Sequence, residues 1–216
     1  MFENKIGKSE VKVKTLFYET LKRVFDFCFS LAAICIVLPV YIAVAIIIKL
    51  DSPGPIIFSH ERIGKNGNRI KIYKFRTMKK NAQELFENFT PKQKLEFQEN
   101  YKLKNDPRVT RVGEFLRKTS IDELPQFWNV LKGDISVVGH RPIVDGEIEK
   151  YASNFEKIFA HPPGLTGYWQ VNGRSDTTYE QRVAMDLYYC ENRSIFLDIQ
   201  IIIATVKKVI QRKGAF

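Results

Sequence analysis

Residues Phe27 to Ile48 read FCFSLAAICIVLPVYIAVAIII, 22 positions without a charged side chain. As a helix this run measures about 33 Å at ~1.5 Å per residue, enough to cross a hydrocarbon core about 30 Å thick. It is too long for the apolar part of a signal peptide. Lys49-Leu-Asp-Ser-Pro-Gly comes directly after it, where a signal peptide would have a small-residue cleavage site. Its length also disfavours a wholly buried core helix. Pro39 stands in the middle, where it removes a backbone hydrogen bond and kinks a helix. Both flanks are basic: Lys14, Lys22 and Arg23 before, Lys49, Arg62, Lys65, Arg69, Lys71 and Lys74 after. Basic flanks face the cytoplasm. A segment that enters, bends at Pro39 and returns satisfies both ends. An ordinary single crossing with a tolerated proline satisfies the composition equally well.

Around this segment, 216 residues allow one domain with a real core. The formal charge of +10 calls for an anionic partner: a phosphate-bearing substrate, an anionic membrane surface or nucleic acid. No nucleic-acid motif accompanies it, so nucleic acid is not expected. Cys28, Cys35 and Cys190 make neither a disulfide framework nor a zinc signature, which fits a reducing, cytosol-facing location. His60, His140 and His161 lack metal-ligand spacing, and no GxGxxG, Walker A or HExxH pattern occurs.

Asp51-Ser-Pro-Gly-Pro55 ends the helix. Residues 56–78 read as a hairpin turning at Lys65-Asn-Gly-Asn68. Residues 79–104 read as one or two amphipathic helices split near Pro91. A short helix is expected over Gly113–Lys118 and another from Ile121, with Ser120 as its N-cap and Glu123 completing a capping box. The proline- and glycine-punctuated stretch 139–175 reads as mostly loop. Tyr179–Cys190 reads as helix. So does Phe196–Arg212, an amphipathic segment that packs on the core or lies in a membrane interface.

Asp122 and Glu123 are adjacent carboxylates. Read alone they cap a helix. Read chemically, one can ligate Mg²⁺ and the other act as a nucleophile. The cations that could clamp a phosphate are Lys74, Arg117, Arg141 and Arg174, the last two in glycine- or proline-marked loops. Tyr168 and Trp169, in PPGLTGYWQVNGR (162–174), read as buried loop aromatics or as a pocket wall for a base or sugar.

The ordered motifs Lys22-Arg-Val-Phe-Asp-Phe27, Lys71-Ile-Tyr-Lys-Phe-Arg-Thr-Met78, Asp106-Pro-Arg-Val-Thr-Arg-Val-Gly113, Arg117-Lys-Thr-Ser-Ile-Asp-Glu-Leu-Pro-Gln126, Asn129-Val-Leu-Lys-Gly-Asp134, Val138-Gly-His-Arg-Pro142 and Pro163-Gly-Leu-Thr-Gly167 through Gln170-Val-Asn-Gly-Arg174 resemble those of the bacterial sugar transferases. These are monotopic polyprenyl-phosphate phosphoglycosyl transferases. The resemblance runs from Lys22 to Phe216, and its C-terminal part is similar to the galactose and glucose phosphotransferases.

The resemblance implies a mainly α fold with a small β-hairpin. It further implies an N-terminal extension over 1–21, a re-entrant membrane helix broken at Pro39 over 22–51, and a cytosolic catalytic domain over 52–216 with interfacial amphipathic helices. It places the protein at the bacterial inner membrane, as a minimal catalytic module. Asp122 is then the nucleophile and Glu123 the Mg²⁺ ligand. Lys74, Arg117, Arg141 and Arg174 serve the phosphates. The substrates are a UDP-sugar and undecaprenyl phosphate. UDP-galactose or UDP-glucose leads, with an N-acetylated sugar second; a catalytically silent membrane scaffold is the competing class. A homo-oligomer is left open. One departure stands out: His140 occupies a position where the family usually has proline.

Overall fold

The computed structural model describes residues 3–100, 103, 105–173 and 177–211, and side chains within them except those of 3–15 and 98–100. Helix α1 runs from Glu3 to Asp51 with Pro39 inside it. The chain therefore does not separate into two helices at Pro39; any change of course there is a bend within one helix. Its Leu16–Asp51 portion is long and apolar enough to cross a membrane, by length and composition. It is not a core helix. Lys22, Asp26, Ser30, Val44 and Ile48 are buried, while Phe17, Leu21, Val24, Leu31, Ile36, Ile42 and Ile46 are exposed. The buried positions recur at close to helical spacing, so one stripe faces the protein and the apolar remainder faces outward.

Strands β1 (Ile57–Ile63) and β2 (Arg69–Phe75) form the expected antiparallel hairpin, with Phe58 opposite Lys74 and Arg62 opposite Ile70. Asn66 (φ 56°) and Gly67 (φ 76°) supply the two left-handed turn positions, which Asn-Gly tolerates at least cost. Helices α2 (Ala82–Glu87) and α3 (Pro91–Asn100) divide before Pro91 as expected. Helix α4 spans Arg111–Thr119 and α5 spans Gln126–Lys132.

Between α4 and α5 the structure departs from expectation. Residues Ile121–Glu123 form a single 3₁₀ turn, and Ser120 makes no side-chain cap. Ser120 instead ends α4 in the left-handed conformation (φ 57°), its N–H donating back to Arg117 O and Leu116 O. Pro125, which lacks an N–H, precedes the first residue of α5.

The stretch 139–175 is also more ordered than a loop. Strand β3 (Ser136–Val138) pairs in parallel with β4 (Gly164–Thr166). Helices α6 (Ile148–Tyr151), α7 (Phe155–Phe159) and α8 (Tyr168–Asn172) lie between or after them. Ile148, Tyr151, Phe155, Ile158 and Phe159 repeat at helical intervals and build a core with Ile63, Ile143 and Val183. Helices α9 (Tyr179–Glu191) and α10 (Ile195–Gln211) complete the body. Helix α10 buries Asp198 and Ile201 yet exposes Phe196, Ile199, Ile203, Val206 and Ile210.

Both ends of the apolar run are fastened to this one body. On the N-terminal side, Asp198 of α10 accepts from Lys22 (2.8 Å), Tyr18 (3.0 Å) and Tyr189 (2.7 Å). Arg23 donates to the carbonyls of Val130 and Leu131 at the end of α5, both at 2.6 Å. Asp26 accepts from Val137 N at 3.0 Å. On the C-terminal side, Arg76 donates to Pro53 O and Ser52 O, both at 2.7 Å. Val44 and Ile48 pack with Phe75 and Leu116.

Candidate active site

Three pieces of chain meet around Asp122. The end of β2 brings Lys74, α4 brings Arg117, and the 3₁₀ turn carries Asp122 and Glu123. The apolar core under this turn joins Ile121 and Leu124 to Tyr41, Val44 and Ile48 of α1, and Tyr41 donates its hydroxyl to Leu124 O. The membrane-length helix thus touches the backbone one residue past Glu123. Asn129, fully buried, ties α5 to β2 by accepting from Tyr73 N (2.9 Å) and donating to Lys71 O (2.6 Å). That pair of bonds fixes the strand carrying Lys74 against the helix just beyond Glu123. Gly113 permits the closest approach: a Cβ there would lie 2.0 Å from Thr77 O, so α4 packs directly on the chain just past Lys74.

Asp122 is only 7% exposed. Burial lifts its carboxyl to about 6; Lys74 and Arg117 pull it down, and neighbouring Glu123 pushes it up. Glu123 is more open and pairs with Lys74 Nζ at 2.6 Å. Arg117 donates through Nε to Thr77 Oγ1 at 2.9 Å. Burial works against its charge, and Asp122 and Asp106 work for it. Behind Arg117, Asp106 holds Arg108 through a bidentate contact. Burial favours the neutral Asp106 carboxyl, but Arg108 outweighs it and keeps the pKa low. The Arg108 guanidinium is enclosed by Phe86, Phe89 and Phe97, each about 5 Å away.

Arg141 belongs to a second cluster. Phe58, His60 and Arg62 alternate along one face of β1, and Lys74 stands opposite Phe58 on that face. His60 feels both Arg62 and Lys74; burial first, then these charges, depress its pKa. Arg62, about 13 Å from Phe58 along the strand at ~3.3 Å per residue, is pushed down to about 10 by burial and by Arg141. Ile63 N donates to Ile143 O at 2.8 Å, which fastens this strand end to the Arg141 segment. Arg141 and Arg182 lie over the Trp169 ring at 5.7 and 5.0 Å. All three line a narrow cleft of about 180 Å³ with Glu147, Tyr179 and Asp186.

Four of the six residues singled out from sequence therefore converge: Lys74, Arg117, Asp122 and Glu123. Arg141 sits farther along the same hairpin face. Arg174 lies outside the described residues. Trp169 does line a cleft, but Tyr168 packs on Tyr188 at 4.8 Å instead. Sequence reading missed Arg62, Thr77, Arg182 and Asp186. Arg62 had a usable signal, since in a strand it shares Lys74's face once the hairpin register is known. Asp186 had none: within a helix it reads as a solvated charge, yet it is 1% exposed.

His140 is neither loose nor near the Asp122 cluster. It is fully buried, with its ring nitrogens 3.1 and 3.0 Å from the carbonyls of Arg141 and His161 and its ring edge-on to Phe159. Burial drops its pKa to about 4, so it is uncharged at neutral pH and locks the Arg141 loop as a packing residue.

Among the described residues no three or more His, Cys, Asp or Glu side chains gather as a metal cage. Magnesium asks less of the protein. It retains water and takes one or two carboxylates beside substrate phosphates. Asp122 and Glu123 fit that donor set, with Lys74 already on one Glu123 oxygen.

A buried carboxylate ringed by cations, on a turn held by a membrane-length helix, is a site suited to phosphate chemistry beside a lipid. A family model described as bacterial sugar transferase matches residues 17–212, and the chain belongs to that family. The undecaprenyl-phosphate galactose phosphotransferase of Salmonella typhimurium is 44% identical over 199 residues, covering 91% of this chain and 42% of that protein. The UDP-glucose:undecaprenyl-phosphate glucose-1-phosphate transferase of Escherichia coli is 41% identical over 204 residues, covering 91% and 41%. The exopolysaccharide production protein ExoY of Rhizobium meliloti is 41% identical over 198 residues, covering 90% and 88%. The chain thus spans under half of the first two proteins and most of the third.

Proposed function

We propose that this chain transfers a hexose 1-phosphate from a UDP-sugar to undecaprenyl phosphate, releasing UMP, and so starts a cell-surface polysaccharide or glycan. The observation that carries the reading is Asp122, buried between Lys74 and Arg117 with its carboxyl near 6. Such a group is ionised at neutral pH yet poorly solvated, as a nucleophile should be. A carboxylate oxygen attacks the sugar-bearing phosphorus, the bond to UMP breaks, and a phosphosugar is left on Asp122. An oxygen of undecaprenyl phosphate then attacks that phosphorus and frees the carboxylate. The two half-reactions make the kinetics ping-pong. Lys74 and Arg117 offset charge on the transferred phosphoryl group. Glu123, with Asp122, would hold Mg²⁺, which when bound supplies further neutralisation of the diphosphate.

The relatives' names support galactose and glucose as the sugars, without choosing between them. The membrane arrangement rests on the two anchorages of α1. A straight crossing would put ~30 Å of hydrocarbon between the ends of the apolar run, yet Lys22 and Ile48 both pack into one body. That supports a re-entrant course, bent near Pro39, with both ends on the cytosolic side of the inner membrane. The outward apolar residues of α10 support its lying in the interface beside α1.

The test is nucleotide release by detergent-solubilised protein given undecaprenyl phosphate, Mg²⁺ and, in turn, UDP-galactose, UDP-glucose and UDP-N-acetyl sugars. UMP released with one donor is the expected result and names the sugar. UDP released instead means transfer of the bare sugar and removes Asp122 from the nucleophile role.

A further inference from the structure

Two buried polar atoms without a hydrogen-bond partner, Asp186 Oδ1 and Trp169 Nε1, belong to residues that line the same cleft. Buried polar groups are nearly always paired, and an unpaired one destabilises the fold unless it has a use. Asp186 is held firmly: its other oxygen accepts from Tyr151 at 2.9 Å. The Arg141 amide and guanidinium favour its charge from nearby, but no hydrogen bond closes on Oδ1. Trp169 is held by the guanidinia of Arg141 and Arg182 over its ring.

The needs of the two atoms are complementary. The carboxylate oxygen lacks a donor, and the indole N–H lacks an acceptor. A planar imide, with its N–H beside a C=O, supplies both, and aromatic and guanidinium planes flank the cleft. Location narrows the choice. Arg62 and Arg141 face each other at the far end of the hairpin face from Lys74. A hexose bonded to the attacked phosphorus extends only one ring from it. The nucleoside extends across a second phosphate and a ribose.

We infer that this cleft holds the uracil of the donor nucleotide, Asp186 accepting from the imide N–H and Trp169 donating to an adjacent carbonyl oxygen. The assignment rests on the UDP-sugar reaction proposed above. It makes Asp186 the residue that selects uracil over cytosine, whose ring presents an acceptor nitrogen at that edge. Sites built to hydrogen-bond a substrate group reject analogues lacking it far more strongly than apolar pockets do.

Asp186→Asn separates the outcomes. Tyr151 keeps requiring an acceptor, so the amide oxygen stays toward it and the NH₂ turns into the cleft. A donor then stands where an acceptor stood. Binding of UMP, CMP and galactose 1-phosphate is measured by calorimetry on the full chain in detergent at pH 8.5, for wild type, Asp186→Asn and Trp169→Phe. Wild type is expected to favour UMP over CMP at least tenfold. Asp186→Asn should lose tenfold or more for UMP and gain for CMP. Trp169→Phe, which keeps a ring but no N–H, should weaken UMP severalfold without lowering the melting temperature. Galactose 1-phosphate should bind all three alike. An unchanged UMP-to-CMP ratio in Asp186→Asn overturns the assignment. So does a change confined to galactose 1-phosphate, which would give the cleft to the hexose. Wild type binding neither nucleotide would instead remove the UDP-sugar reaction itself.

Discussion

Asp122→Asn is expected to abolish turnover and, above pH 6, to stabilise the fold. In the unfolded chain the carboxyl titrates near 3.8; in the folded chain it titrates near 6. Below both values it is neutral in either state and contributes nothing that depends on pH. Between them the unfolded chain gives up its proton first, so stability falls as pH rises. Above about 6 the loss is complete, and two pKa units correspond to about 3 kcal/mol at ~1.36 kcal/mol each. The attractions of Lys74 and Arg117 are already included, because the carboxyl is raised in spite of them. Asparagine keeps the shape and never ionises. For a domain of this size the gain corresponds to on the order of 6–12 °C in melting temperature. Thermal melts of both proteins in detergent should show a gap that is wide at pH 8 and narrows toward pH 4.5. A gap independent of pH, or an asparagine variant less stable at pH 8, would refute the idea that burial penalises this charge.

Lys74→Met removes the largest attraction on the Asp122 carboxylate. The acid limb of the pH–rate profile for UMP release should move upward from about 6, and an unmoved limb would separate Lys74 from Asp122. Arg117→Lys keeps the charge but loses the Nε–H bond to Thr77; UMP release should slow by about tenfold, the worth of one charge-assisted hydrogen bond. Gly113→Ala forces a Cβ against Thr77 O and should destabilise by about 1–3 kcal/mol, read as a lower melting temperature; a wild-type melt would mean α4 can shift. Single cysteines placed before Lys22 and after Lys49 should react with a membrane-impermeant thiol reagent from the same face, whereas labelling from opposite faces would make α1 a single crossing.

The hairpin, the α2–α3 division at Pro91 and the final helices were legible because each rests on local chemistry. Asn66-Gly67 accepts left-handed turn angles, Pro91 interrupts one helix and opens the next, and apolar periodicity marks α9 and α10. Two misreadings share one cause. Ser120 carries a capping side chain, yet tertiary contacts place it as a left-handed terminator, so that the turn can deliver Asp122 and Glu123 before Pro125 starts α5. The stretch 139–175 is rich in proline and glycine, but Tyr151, Ile158 and Phe159 drive it into a core. In both places long-range burial outweighed local preference.

The sequence by itself determined the membrane-length helix, its basic flanks, the adjacent carboxylates and, through ordered motifs, the family. These are properties of residue order, and they are written in one dimension. Only the tertiary structure decided that Lys74 reaches Glu123 while Arg141 faces Arg62, that both ends of the apolar helix grip one body, and that His140 and Asp186 are buried. Each of these depends on which surfaces exclude water together. Burial is what turns Asp122 from a soluble carboxylate into a poised one, and burial is set by residues far away in the chain.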